Sequence, residues 1–133
     1  MKRLVFTLSL CLLVISGPAC ATYFDGMEAY RQNDYQTALR EFKSMDEDAK
    51  ALYMVGVIYE KGEGVGLDYA EAVQWYRKAA DKGYSPAQYR LGRLYERGLG
   101  VEQSRDEAIK LYKKAAKQGY VDAKQALKRM DAK

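Results

Sequence analysis

The side chains that could do chemistry in this chain are few, and their settings exclude most of it. No histidine occurs in the 133 residues, and the two cysteines, Cys11 and Cys20, both lie before Ala21. Beyond that point the serines Ser44, Ser85 and Ser104 fall at expected helix boundaries with no base spaced to activate them. Nucleophile-plus-base catalysis therefore lacks its usual parts. The carboxylates of Asp46-Glu47-Asp48 and Asp106-Glu107 stand at helix starts, where negative charge favours the helix dipole. Without histidine they make a poor zinc site. Gly62-x-Gly64 and Gly98-x-Gly100 invite a phosphate-cradling reading, but Leu67 and Gln103 hold the position of a further glycine and no strand precedes either loop. Both read as turns. No catalytic residue, metal ligand or cofactor is expected.

What positions these residues is a repeat. Shifted by 36 residues the chain overlays itself: Gly56 falls on Gly92, Tyr59 on Tyr95, Gly62-x-Gly64-Val65 on Gly98-x-Gly100-Val101, and Tyr76-x-Lys78-Ala79-Ala80 on Tyr112-x-Lys114-Ala115-Ala116. Between Ala51–Tyr84 and Ala87–Tyr120, 16 of 34 positions are identical. A period of this size marks a solenoid, whose units are too small to bury an apolar face alone and stack to do so. Helix A of the first unit is expected from about Asp48 to Lys61, with Leu52, Val55, Gly56 and Tyr59 on one stripe; Gln88, Leu91, Gly92 and Tyr95 take those places in the second. Helix B is expected over about Asp68–Lys82 and again over Ser104–Gln118, with Asp68 and Ser104 as N-caps and Gly83 and Gly119 closing the ends. Ala72, Trp75, Tyr76, Ala79 and Ala80 point inward in the first, and Ala108, Leu111, Tyr112, Ala115 and Ala116 in the second. A shorter hairpin, Tyr23–Arg31 and Tyr35–Lys43 about an Asn33-Asp34 turn, precedes them. Val121–Ala132 reads as a last helix A whose Lys128 replaces the glycine, as suits a polar cap. The predicted organisation is 1–21 leader, 22–47 hairpin, 48–84 and 85–120 repeats, 121–133 cap.

The leader is read from a basic head (Lys2, Arg3), an apolar run from Leu4 to Ser16, a Gly17-Pro18 break and the small triplet Ala19-Cys20-Ala21. The run is too short to span a bilayer. Gly17 and Pro18 fit poorly with lipidation at Cys20, so cleavage after Ala21 is the expectation and a lipoprotein the alternative. Cleavage leaves 112 residues (133 − 21) without cysteine and a formal charge of +2, from +4 less Lys2 and Arg3. That charge argues against nucleic acid. A periplasmic or secreted setting follows. The lysine-rich end (Lys110, Lys113, Lys114, Lys117, Lys124, Lys128, Arg129, Lys133) reads first as a solvated face, and second as a contact for an anionic membrane or envelope polymer.

The stretch Ala51-x-Tyr53-x-Val55-Gly56-x-x-Tyr59-x-x-Gly62-x-Gly64-Val65, then Asp68-x-x-x-Ala72-x-x-Trp75-Tyr76-x-Lys78-Ala79-Ala80-x-x-Gly83, resembles the SEL-one-like repeat, a relative of the tetratricopeptide repeat with a longer glycine loop. The second copy departs at Ser104 and Leu111, and the first hairpin resembles an ordinary tetratricopeptide unit through Gly26, Ala38 and Phe42. The resemblance implies an all-α, right-handed α-solenoid that binds a protein or peptide partner in a groove walled by A helices. The implied wall is Tyr23, Met27, Tyr30 and Arg31; Tyr53, Val57, Glu60 and Lys61; Tyr89, Arg93, Glu96 and Arg97; and Gln125 and Arg129 from the cap. Helical spacing groups 53, 57 and 60, and likewise 89, 93 and 96, on one face.

Tyrosine and arginine are enriched at binding hot spots. The competing reading is that Tyr53 and Tyr89 pack between repeats; nothing in the packing pattern requires Arg93 or Arg97. The leading function is therefore a non-catalytic adaptor or scaffold for an envelope protein or peptide. The alternatives are a structural accessory of an envelope machine, a secreted effector, and a β-lactam-acting enzyme like some cysteine-rich secreted relatives, whose cysteines are absent here. Open solenoid ends also allow self-association.

Overall fold

The structure, a computed structural model, describes residues 22–132. The leader, its cleavage after Ala21 and the choice between cleavage and lipidation at Cys20 lie outside the described residues, as does Lys133. Seven helices follow one another with no strand among the described residues: α1 (Tyr23–Arg31), α2 (Tyr35–Lys43), α3 (Ala49–Lys61), α4 (Tyr69–Asp81), α5 (Ser85–Arg97), α6 (Arg105–Lys117) and α7 (Val121–Asp131). Each packs on its neighbour in sequence, which makes an all-α helical repeat solenoid. No described helix is long and apolar enough to cross a membrane.

Local chemistry starts and stops these helices. Thr22 forms a capping box with Asp25, and Asp34, Asp48, Asp68 and Ser104 each accept a bond from a first-turn backbone N–H. The repeat helices are a residue or so shorter than expected because Asp48, Asp68 and Ser104 stand outside them as caps. α3 and α5 end at Gly62 and Gly98, both left-handed at φ 68° and 67°. Between α1 and α2 the same bend is made by Asn33 at φ 62°, a residue that tolerates it.

One joint recurs in every hairpin. A glycine on helix A lies under an aromatic ring of helix B: Gly26 under Phe42, Gly56 under Tyr76, Gly92 under Tyr112. A Cβ at these glycines would stand 2.6, 2.6 and 2.7 Å from ring carbons that are themselves fully buried. The core is thus a line of aromatic rings seated on glycines, filled between by Leu52, Val55, Ile58, Val73, Leu91 and Leu94. Successive layers meet at the glycine loops. Gly64 sits against Tyr35, the first residue of α2, and Gly100 against the backbone of Tyr69, the first residue of α4.

Candidate functional site

Along one wall, side chains of the A helices α1, α3, α5 and α7 meet layer to layer. Lys61 Nζ donates to the Tyr30 hydroxyl at 3.4 Å and lies 3.4 Å from Glu63. The hydrogen bond to Tyr30 raises the lysine above its ordinary value, against burial, so its charge is held on this wall. Glu60 accepts from the Tyr76 hydroxyl and stands 3.6 Å from the Arg90 guanidinium. One layer on, Glu96 accepts from Tyr112 at 2.6 Å, while Arg129 Nη2 reaches both its carboxylate oxygens at 2.7 and 2.8 Å. Burial pushes the Glu96 carboxyl up; the Tyr112 bond, Arg129 and the charge of Arg97 together outweigh it and hold the group below its ordinary value. Burial, aided by Glu60, drives the Tyr76 hydroxyl far up, and burial with the Glu96 bond raises Tyr112.

Tyrosines fill the rest of the wall. Tyr53 lies 5.6 Å from Tyr76 and 5.4 Å, edge-on, from Tyr84. Tyr89 repeats this with Tyr112 at 5.7 Å and Tyr120 at 5.4 Å. Such offset and tilted pairs are the favoured aromatic geometries. Burial raises the Tyr23, Tyr84 and Tyr120 hydroxyls, and the field of Tyr53 adds to all three, so these phenols from different layers share one neighbourhood.

The implied wall residues divide. Tyr23 packs on Phe42 at 5.7 Å, and Met27 and Tyr30 lean on the same N-terminal core. Arg31 is engaged within its own helix, by Glu28 at 2.8 Å and the Phe24 ring. Val57 needs correction: it is 7% exposed and belongs to the central core, where side chains of neighbouring helices close over it. Tyr53 and Tyr89 are half-buried between layers, so the packing reading applies to them directly. Arg93 lies over the Tyr89 ring at 6.0 Å, and Arg97 and Gln125 are exposed. Among the described residues neither Arg93 nor Arg97 has a carboxylate within 4.0 Å. Sequence reasoning missed the hydroxyl roles of Tyr76 and Tyr112, and it missed Tyr84, Tyr120 and Arg90. The 36-residue spacing of Tyr84 and Tyr120 could have flagged that pair; Arg90 has Ala126 as its counterpart and leaves no such signal.

Two of the serines are engaged at helix ends: Ser44 Oγ donates to the Glu41 carbonyl at 2.6 Å, and Ser104 Oγ accepts from the Glu107 N–H. Residues 49–84 and 85–120 each match the Sel1 repeat, the SEL-one-like repeat. The chain belongs to the Sel1 repeat family. It is similar to a Sel1 repeat protein from Oxalobacter formigenes (35% identity, TM-score 0.77, covering 80% of this chain and 44% of that one). A protective antigen of uropathogenic Escherichia coli with the same fold is 35% identical at TM-score 0.71, over 80% of this chain and 25% of the other. The Helicobacter pylori cysteine rich protein B is 22% identical at TM-score 0.66, over 80% and 97%, a likeness of fold. A 57-residue stretch is 39% identical to rat DAP3-binding cell death enhancer 1, covering 41% of this chain and 11% of that protein. The chain spans less than half the length of the first two structures and about a tenth of the rat protein. Sel1 repeats are generally non-enzymatic modules for protein–protein interaction.

Proposed function

We propose that this Sel1 repeat protein is a non-catalytic adaptor of the cell envelope that holds a protein or peptide partner on its A-helix wall. The observation that carries the reading is the contrast along that wall. Glu60 and Glu96 pair with Arg90 and Arg129 and accept from Tyr76 and Tyr112, whereas Arg93 and Arg97 have no carboxylate within 4.0 Å among the described residues. Rigid tyrosine faces beside unsatisfied guanidiniums are what a binding hot spot is made of. The periplasmic or secreted setting rests on the leader read in residues 1–21.

The test is capture from an envelope extract of the source organism by immobilised residues 22–133, beside an Arg93→Glu/Arg97→Glu variant of matching far-ultraviolet circular dichroism. The expected outcome is a partner retained by the wild type and lost with the variant. Equal recovery of every protein by both forms removes the wall from the reading.

A further inference from the structure

At the C-terminal end of the wall lies a cavity of about 470 Å³ lined by Glu96, Gln103, Arg105, Arg129 and Met130. All five are 36-residue copies of Glu60, Leu67, Tyr69, Arg93 and Leu94. In that earlier layer the glycine loop of the next unit rests on Tyr69, through Gly100, just as Gly64 rests on Tyr35 one layer before. The residue at that register in the next layer is Arg105, the first residue of α6. Two of the five positions differ in polarity between the layers. Leu67 and Tyr69 correspond to Gln103 and Arg105, so the C-terminal layer carries an amide and a guanidinium where the earlier one carries an aliphatic and an aromatic side chain.

The donors are only partly committed. Arg105 Nη2 bonds the Met130 carbonyl at 2.7 Å, and Arg129 Nη2 bonds Glu96. A guanidinium has five N–H donors, so the remaining nitrogens of both arginines are open to a further acceptor. Gln103 Nε2 ties the cavity floor to the Glu96 carbonyl at 2.8 Å. Glu96 is the one acid in the lining and is already held by Tyr112 and Arg129, so the cavity carries one net positive charge. Paired guanidiniums match a carboxylate in fork geometry.

We propose that this cavity seats a carboxylate of the partner, and hence that the segment bound on the wall is an acidic peptide. This rests on the reading of the wall as a partner surface and adds the partner's chemistry to it. The acidic side chain would take two donors each from Arg105 and Arg129, while the open cations of Arg93 and Arg97 favour acidic neighbours along the same segment.

Fluorescence anisotropy with a labelled, C-terminally amidated peptide rich in glutamate, and its glutamine counterpart, tests this at about 0.15 M ionic strength. The wild type should bind the glutamate peptide and not the glutamine one. Arg105→Gln, which leaves the Glu96–Arg129 pair intact, should weaken binding about tenfold, and Arg105→Gln/Arg129→Gln more. Lys110→Gln/Lys114→Gln removes two charges from α6 beside a different cavity and should stay within about twofold. No binding of the glutamate peptide, unchanged binding by the folded arginine variants, or an equal loss with the lysine variant would each overturn the seat. If the seat fails while Arg93/Arg97-dependent capture from extract persists, the wall stands without it; if both fail, neither reading survives.

Discussion

Tyr112 and Glu96 show at the residue scale how one hydroxyl serves packing and electrostatics together. The ring fills the hollow over Gly92, and its hydroxyl donates to a carboxylate that also receives Arg129. Because Glu96 is held below its ordinary value of 4.5, its contribution to stability is present above that pH and is lost as pH falls through the lowered value. Tyr112→Phe keeps the ring and removes the bond. We expect a loss of about 1 kcal/mol at neutral pH, shrinking as pH falls through the lowered Glu96 value. Urea unfolding of the two proteins across that range measures it. A difference that stays constant with pH would disconnect Tyr112 from Glu96.

The helix pair is held at the glycine joint, and that sets what each glycine tolerates. At Gly56 a methyl would overlap the Tyr76 ring at 2.6 Å, and the ring, 0% exposed, has nowhere to go. Alanine is a better helix former by roughly 1 kcal/mol, but overpacking of a closed core costs about 1–3 kcal/mol. Gly56→Ala should therefore lower the thermal midpoint. Gly66 offers the contrast, since a Cβ there meets nothing within 4 Å and its φ is not left-handed. Gly66→Ala should be neutral or stabilising by up to about 1 kcal/mol. Thermal melts of the two variants decide; a midpoint for Gly56→Ala at or above that of Gly66→Ala would sink the joint.

For the whole molecule, stability in a stacked array is close to a sum of units and their junctions. The α2–α3 junction is sparser than that between α4 and α5. Native-state hydrogen exchange should therefore find the amides of α1 and α2 opening at lower free energy than those of α3 to α6. Uniform protection across all seven helices would mean that the array unfolds as one block.

Helix existence, the 36-residue register, the caps Asp68 and Ser104 and the glycine turns were all readable in the chain, because each depends on neighbours within a turn or on a repeated spacing; the capping role of Asp48 was not read there. The wall was legible only in part. Spacing gives a side chain's direction around its own helix. It says nothing of how near the next layer comes, and that distance decided the rest. It buried Val57, set Tyr53 and Tyr89 against rings one layer on, brought Arg90 to Glu60 and Arg129 to Glu96, and gathered Gln103, Arg105 and Met130 around one cavity. Local propensity and period are properties of the chain; proximity between layers belongs to the packed solenoid, where rings and glycines set the spacing through contact.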